Sequence, residues 1–465
     1  MRPDHGPGTP MRRRFGADVV LAVVLPLACA AALLVLQPDR DQPQGQPPVE
    51  TPLTSASVVC PGPLPGAADV LGDVLGVSTL GADVDGDVQV GLGDAVTPLR
   101  VRSDRLSTAP ASTGPVVVTG ADDLAPGLVA GRSRSAPLAA VDCAPPVPDQ
   151  WFTAVGAGAT HDSVVELVNP NSGPAIADII VRSPTGIVDA PSLRGVSVPG
   201  GSSTTLDLGQ IVPRQGELSL EVHTSRGRLT VHVVDSYDEL GTGTRGEDWL
   251  PSQSAPDTSA MLLGLAAGVG ERRLVVANPG PDEVRATVQV VTASSVFAPS
   301  GVEPIRIDPD STAAISLDDV LSQAVQDGAT GMLIEATGPV TAALRQVVDG
   351  DVSLLSATPA LDETTAAVLP AGPKRLLLGG PGAVGVATVT SYSPKGKPLD
   401  EQRIELNPGG GADLTLPDAA TLVTVTPERT SVHAAVLLTG TGTAAVPLRE
   451  LVLTGRVPDV RPGVP

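Results

Sequence analysis

A set of strand and turn signals occurs three times in this chain and limits what the chain can fold into. Each copy has a strand ending in a Pro or Gly turn (LVNPNSG, VVANPGP, LLLGGPG) and a short strand ending in proline (VSVPG, IRIDPD, IELNPG). An alternating strand (TTLDL, AAISL, ADLTL) completes each copy. All three signals advance together by roughly one hundred residues, which indicates duplication.

The period favours a β-sandwich over other repeated folds. Propeller blades and helical solenoid units have periods of about 33 to 50 residues. A unit of about one hundred residues fits a small sandwich of about seven short strands. We therefore predict an all-β chain with tandem immunoglobulin-like β-sandwich repeats at residues 150–247, 258–350 and 362–456. The alternative is that the repeats are half-units that close into one propeller-like domain, and limited proteolysis separates the two.

The alternation around Arg226 and Gly227 predicts which side chains face the core. With these two residues at a turn, one face carries only apolar side chains, namely Leu220, Val222, Leu229, Val231 and Val233. The other face carries Glu221, His223, Thr230 and His232. This period of two is typical of a half-buried strand, and we interpret the segment as an antiparallel hairpin. In the second copy, SLDDVLSQAVQD near residues 316–327 predicts a short helical insertion.

The N-terminus predicts a membrane anchor. Residues 1–14 form a short tail with four arginines, and residues 15–36 hold an apolar run with no charge between residues 19 and 36. This length is close to the ~20 residues that span a bilayer, and the preceding arginines place the tail in the cytoplasm. A cleaved signal peptide and a lipoprotein signal with Cys29 as lipid acceptor are the alternatives. Residues 37–56 are a Pro/Gln-rich linker.

Residues 57–146 form a divergent β unit that does not follow the repeat. Cys60 and Cys143 lie near its two ends. If the chain is extracytoplasmic, the two thiols should oxidise to a disulfide; two free buried thiols are the alternative.

Composition excludes some classes of partner. The net charge is −21, which argues against binding to nucleic acid. Aromatic residues make up only 2% of the chain, so its cores must consist mainly of Val, Leu, Ile and Ala.

The candidate sites are weak. The sequence from Gly380 to Gly385 matches G-x-G-x-x-G, but a strand-like segment follows where a dinucleotide site needs a helix, so we interpret it as a hairpin turn. Asp83, Asp85 and Asp87 are spaced as oxygen ligands for calcium, although an acidic turn explains them equally. His223 and His232 are a weak zinc candidate because no third ligand is evident. We expect no metal and no cofactor.

Trp151 and Trp249 each stand just ahead of a repeat. They either pack at a domain junction or present an aromatic surface to a glycan. The chain contains no G-x-S-x-G, S-x-x-K or H-E-x-x-H motif, so we predict that it is not an enzyme. A hydrolase with an unrecognised site, built on two carboxylates, is an alternative.

Several of these features together resemble a known family. They are the Arg-flanked span, the proline-rich linker, VVCPGPLPG at residues 58–66 and the NP, PGG and TLDL signals of the repeats. They resemble the uncharacterised actinobacterial membrane proteins of the DUF5719 family, and the repeats are similar to bacterial immunoglobulin-like modules. The resemblance implies a location in the cell envelope and no established activity.

We therefore predict a single-pass membrane protein with a cytoplasmic N-terminus and an extracytoplasmic body. Its predicted role is a non-catalytic scaffold or spacer of the cell envelope, with an envelope protein or glycan as partner. The alternative in another class is a module that binds envelope polysaccharide.

Overall fold

The structure is a computed structural model. It describes residues 26–28, 31–32, 49–65, 73–80, 83–109, 112–239, 245–253 and 255–457. The cytoplasmic tail and most of the transmembrane segment and linker predicted above lie outside these residues. Residues 26–28 and 31–32 are helical. Among the described residues, no helix combines the length and the apolar character that crossing a membrane requires.

The described chain is all-β, as predicted. Its first strand, β1 (Val49–Pro52), pairs with its last, β36 (Thr454–Val457), in a two-stranded sheet. Strand β1 falls within the stretch predicted to be a linker. A local composition rich in proline could not reveal it, because its pairing partner lies at the other end of the sequence.

The N-terminal unit consists of two four-stranded sheets. Its strands are β2 (Ser55–Cys60), β3 (Val74–Thr79), β4 (Asp85–Leu92), β5 (Ala95–Arg102), β6 (Ser107–Ala109), β7 (Val116–Ala121), β8 (Leu128–Ser135) and β9 (Leu138–Asp142). The sheet orders are β2-β7-β4-β5 and β6-β3-β8-β9. Apolar side chains of both sheets, such as Val88 and Val77, share one core, so the sheets face each other.

The first repeat contains nine strands and one helical turn. They are β10 (Asp149–Ala157), β11 (His161–Asn169), β12 (Ala175–Ser183), β13 (Gly186–Val188), β14 (Val196–Val198), β15 (Ser202–Asp207), α1 (Leu208–Ile211), β16 (Gln215–Arg226), β17 (Thr230–Asp238) and β18 (Arg245–Leu250). The order is β13-β12-β16-β10-β11-β17-β18, with β14 on β12 and β15 on β11.

The predicted core face of β16 and β17 is confirmed, but their pairing is wrong. Leu220, Val222, Leu229, Val231 and Val233 all belong to one core cluster. However, β16 pairs with β10 and β12, whereas β17 pairs with β11 and β18. The turn therefore carries the chain from one layer of the core to the other. Alternation shows which face is buried, and two strands on opposite sides of one core show the same alternation as a hairpin.

The second repeat contains eight strands and the predicted helix. They are β19 (Asp257–Leu263), β20 (Gly270–Asn278), β21 (Val284–Thr292), β22 (Val296–Phe297), β23 (Ile305–Ile307), β24 (Ser311–Ser316), α2 (Asp318–Gln326), β25 (Ala329–Val348) and β26 (Asp351–Ser356). Strand β25 pairs with β19 and β21 in its first half and with β20 and β26 in its second half. The helical insertion near residues 316–327 is confirmed by α2, which buries Leu321.

The third repeat has a five-stranded and a four-stranded sheet. Its strands are β27 (Thr365–Val368), β28 (Lys374–Gly379), β29 (Gly385–Tyr392), β30 (Pro398–Leu406), β31 (Gly411–Leu416), β32 (Leu422–Glu428), β33 (His433–Thr439), β34 (Thr443–Pro447) and β35 (Arg449–Glu450). The orders are β30-β29-β32-β27-β35 and β31-β28-β33-β34. The G-x-G-x-x-G segment precedes strand β29 and no helix, as predicted. Strands β28 and β29 lie in different sheets, so the turn is not a hairpin, for the reason given for β16 and β17.

The N-terminal unit and the three repeats close into a ring. Strand β9 contacts β18 and β34, and β26 contacts the same two strands. Each of these four strands is at an edge of its sheet or pairs with a single neighbour. The contacts therefore cover four edges that would otherwise expose unpaired backbone groups. Residues Pro52–Gly455 accordingly form one compact unit.

Side chains of these strands enter the neighbouring cores. Leu354 of β26 belongs to the core of the first repeat, and Ala445 of β34 belongs to the core of the second. Ala140 of β9 belongs to the core of the third repeat. Trp249 of β18 packs with Leu64, Ala139 and Val141 of the N-terminal unit. Each part thus contributes apolar surface to the part that precedes it around the ring.

Candidate functional site

The predicted disulfide is present. Cys60 ends β2 and Cys143 directly follows β9, and their Cα atoms lie 4.4 Å apart. Both residues belong to the core of the N-terminal unit. The bond ties the two sheets of that unit together.

Both tryptophans are buried, with 6% of Trp151 and 3% of Trp249 exposed. The guanidinium carbon of Arg182 lies 5.4 Å from the centre of the Trp151 ring. Arg182 also reaches Asp310 of the second repeat at 3.4 Å. The Trp249 Nε1–H donates to the Gly62 carbonyl at 3.2 Å. Neither ring presents an open face on which a sugar could stack.

Two of the three calcium candidates, Asp85 and Asp87, lie beside arginines. Arg100 Nε lies 2.5 Å from Asp85 Oδ1, and Arg102 Nε lies 3.0 Å from Asp85 Oδ2. The hydrogen bond from Arg100 lowers the pKa of Asp85. Asp87 is 3.9 Å from Arg100. In the part of the chain that the structure describes, no group of three or more His, Cys, Asp or Glu residues is arranged to hold a metal ion.

The two histidines considered as a zinc pair are separated. His223 is exposed and its Nδ1 lies 2.6 Å from Asp149. His232 is 7% exposed and lies on β17, in the other layer. Burial lowers the pKa of His232 to about 3, so its ring is neutral at ordinary pH. The predicted common outer face depended on the hairpin pairing that the structure does not have.

A buried polar network joins the first and second repeats. His161 Nε2 lies 2.8 Å from Asp235 Oδ1, and His161 Nδ1 lies 2.7 Å from Arg345 Nη1. The Ser163 hydroxyl also donates to Asp235. Arg345 Nη2 then pairs with Glu271 at 3.1 Å.

The network contains Ser, His and Asp, but it is not arranged for nucleophilic catalysis. The serine hydroxyl is bonded to the aspartate and not to the histidine, so the ring cannot take its proton. The Arg345 contact also occupies the second ring nitrogen. Because the partners of His161 are far away in the sequence, no local motif could have revealed this cluster.

A cavity of about 440 Å³ lies where the N-terminal unit, the first repeat and the third repeat meet. Its apolar wall includes Leu53, Val58, Leu128, Val129, Leu451 and Val452. Its polar lining includes Ser55, Ser57, Asp142, Asn171, Arg228, Arg449 and Glu450. Apolar walls with a few converging polar groups are typical of binding sites. We call this feature the junction cavity.

The charged groups that line the junction cavity differ in whether they already have a bonding partner. Arg449 Nε lies 3.3 Å from Asp142 Oδ2. Burial raises the pKa of Asp142 to about 7, although Arg449 opposes the shift. The Glu450 carboxylate accepts the Asp362 amide at 2.9 Å. Arg228, in contrast, is exposed and forms no ion pair within the described residues.

Carboxylates also accumulate at the centre of the ring. Asp248 of β18 is 4% exposed and accepts the Trp249 amide at 2.8 Å. Burial raises its pKa well above the usual range, and Asp351 of β26 raises it further. Burial also raises the pKa of Asp351 to about 6. Arg134 of β8 pairs with Glu247 at 2.9 Å nearby. These groups hold strand edges together and do not line the junction cavity.

The comparisons with known proteins identify a family without an activity. Residues 102–417 match the model of the family of unknown function DUF5719. The match covers more than half of the chain, so the chain belongs to this family, as its repeats suggested. No curated protein matches it.

A solved structure of a mutant Salmonella alpha-2-macroglobulin is similar at 13% sequence identity with a TM-score of 0.11. The similarity covers 89% of this chain but only 31% of that protein. At this TM-score it does not bear on fold or function.

Proposed function

We propose that this protein is a non-catalytic scaffold or spacer of the bacterial cell envelope, anchored by one transmembrane helix. The observation that supports the proposal best is the closed ring of four β units. Side chains of one part complete the core of the part that precedes it around the ring, so the body is built to hold its surfaces in fixed relative positions. A rigid body of this kind suits positioning of partners.

We also propose that each repeat is an immunoglobulin-like sandwich. The support is that chain turns repeatedly pass between facing layers, as at β16 to β17 and β28 to β29. Such crossings are typical of sandwich folds with Greek-key connections. The predicted repeat boundaries remain a prediction.

The disulfide supports a location outside the cytoplasm, because such bonds persist in oxidising compartments. External protease on intact cells tests this location. We expect the body to be degraded or shaved from the cell while a cytoplasmic marker survives. Replacing the apolar run at residues 19–36 with a cleavable secretion signal should release the body into the medium. Protection of the body in intact cells would contradict the proposed orientation.

Proximity crosslinking in intact cells tests the scaffold function. We expect the full-length chain to capture the same envelope protein at a constant ratio. A chain carrying only residues 1–56 on an unrelated secreted domain is the matched control for proximity at the membrane. Capture of wall polysaccharide alone would favour the glycan-binding alternative, although the burial of both tryptophans removes its main support. Turnover of an envelope polymer by the purified chain would favour a hydrolase.

A further inference from the structure

The edge of strand β2 that faces the junction cavity has a short unpaired gap. At one end of the gap the Leu53 N–H donates to the Leu453 carbonyl at 3.2 Å. Val59 exchanges both backbone hydrogen bonds with Ala144, at 2.8 and 3.1 Å, on the side opposite β7. The Thr54 carbonyl accepts from Asp122, on the β7 side. Backbone groups of a strand alternate in direction, so the N–H and C=O groups of Ser55 and Ser57 point away from β7.

These four groups are available for pairing. Within the described residues, no hydrogen bond to the backbone N–H or C=O of Ser55 or Ser57 occurs on that side. The chain that pairs with β2 at Ala144 continues into Pro145 and Pro146, which have no N–H to donate. Both serines and both prolines line the junction cavity.

The cavity beside this edge could hold an apolar side chain. Val58, Leu128 and Val129 of the N-terminal unit form one wall, and Leu451 and Val452 form another. An extended peptide added to β2 would point alternate side chains to opposite faces. One set would therefore enter the cavity while its backbone pairs with Ser55 and Ser57.

Charge favours an acidic peptide. The body is strongly acidic, with a net charge of −21 for the whole chain, yet two arginines line this cavity beside the carboxylates of Asp142 and Glu450. The Glu450 carboxylate already accepts the Asp362 amide. Arg449 is already paired with Asp142, which leaves Arg228 at the exposed rim. A carboxylate on the added strand would pair with Arg228.

We propose that the open edge of β2 and the junction cavity form a docking groove for an extended acidic peptide strand of a partner protein. The strand hydrogen-bonds to Ser55 and Ser57, places an apolar side chain in the cavity and sets a carboxylate beside Arg228. Strand addition of this type obtains affinity from the backbone and specificity from alternate side chains. The inference rests on the scaffold function and gives it a site and a partner chemistry.

Matched peptides test the groove on the full-length chain in nanodiscs. The probes are fluorescein-labelled five-residue peptides, short enough for the gap between the Leu453 and Ala144 contacts, that alternate Thr or Glu with Val, Leu, Ile or Phe. A twin with the same side chains but N-methylated amides along the pairing edge cannot donate to β2. We expect anisotropy to show binding that weakens by about tenfold or more for the twin, since each lost hydrogen bond costs a severalfold change. Equal binding of the twin, or binding of no peptide in the set, overturns the proposal.

Point variants test the pairing edge of β2 and the charged rim of the cavity separately. Ser57→Pro removes a pairing N–H and should abolish binding. Arg228→Glu changes an exposed side chain and should shift preference toward peptides with Lys in place of Glu. Arg194→Glu, an exposed residue paired with Asp189, is the matched control and should bind as the unmodified chain does. An unchanged preference in Arg228→Glu would contradict the placement of the carboxylate.

Two further outcomes are informative. If palmitate displaces every peptide and binds as tightly to Ser57→Pro as to the unmodified chain, the cavity is a lipid site and the proposal fails. If the peptides do not bind but crosslinking still captures a partner, the groove is rejected while the scaffold function stands. If the peptides bind and no partner is captured in cells, the scaffold function fails and the groove stands.

Discussion

At the level of single residues, buried carboxyl groups at the centre of the ring make the stability of the folded state depend on pH. Asp351 accepts the Thr443 amide at 2.6 Å, and burial raises its pKa to about 6. A raised pKa means that the folded state keeps the proton longer than the unfolded state. The free-energy cost that the Asp351 carboxyl adds to folding is therefore absent below about pH 4. It grows between about pH 4 and 6 and reaches its full size above about pH 6.

Asp351→Asn keeps an oxygen that can accept the Thr443 amide but removes the titration. We expect the variant to match the unmodified chain below about pH 4 and to exceed it by about 1 kcal/mol above pH 6, after allowance for solvent screening. Urea unfolding across this pH range measures the difference. Asp189→Asn, at an exposed site, is the control. A difference that does not change with pH would contradict the assignment.

Only part of the residue-level picture could be predicted from the sequence. The Cys60–Cys143 pair was predictable because the N-terminal unit contains only these two cysteines. The His161, Asp235 and Arg345 cluster was not, since its members come from three distant strands. Asp85 and Asp87 were ambiguous because their arginine partners lie on the next strand.

At the level of elements, the repeated Asn-Pro signal has a structural explanation. Asn169 Nδ2 donates to the Gly173 carbonyl at 2.8 Å and to the Val198 carbonyl at 3.1 Å. Asn278 Nδ2 makes the equivalent bonds to the Asp282 and Asp308 carbonyls, at 2.7 and 3.1 Å. The side chain of each asparagine therefore forms one hydrogen bond within its own turn and one to the end of the short strand that precedes proline. In the first two repeats, therefore, the two signals are bonded to each other.

Asn278→Ala should destabilise the protein by about 2 kcal/mol, since it removes these bonds and leaves buried carbonyls unpaired. Urea unfolding measures the effect. Asn171→Ala is the control because Asn171 is exposed and its side-chain contacts are long, at 3.4 and 3.5 Å. An equal loss of stability in the two variants would contradict the role of the Asn278 side chain in joining the turn to the short strand.

The disulfide should stabilise the N-terminal unit through the loop it closes. The two cysteines are 83 residues apart, which corresponds to at most about 4 to 5 kcal/mol in the chain-entropy model. Replacing both cysteines with serine should lower the free energy of unfolding by up to this amount. Reduction of the unmodified chain should have the same effect. No loss of stability in either case would contradict the structural role of the bond.

Sequence patterns predicted the elements better than their connections. Alternation identified the core-facing side chains of β16 and β17, although Thr230 and His232 on the other face of β17 are buried as well. The segment SLDDVLSQAVQD indicated helix α2. Strand pairing was misassigned at β16–β17 and β28–β29 because a turn between two layers and a hairpin turn have the same local signals.

At the level of the whole molecule, the hundred-residue period suggested separate sandwiches along the chain. The structure instead packs the edge strands β9, β18, β26 and β34 against one another. Edge packing depends on side chains such as Trp249, Leu354 and Ala445, which are single apolar residues in otherwise ordinary strands. Their partners lie in another repeat or in the N-terminal unit, so no pattern within one repeat could reveal the ring.

The closed ring is the central claim, and limited proteolysis of the full-length chain tests it most directly. The account predicts one protected product that spans close to Pro52–Gly455, which stays intact until the whole body unfolds. Early accumulation of separate stable fragments of about one hundred residues, the size of a single sandwich, would contradict it.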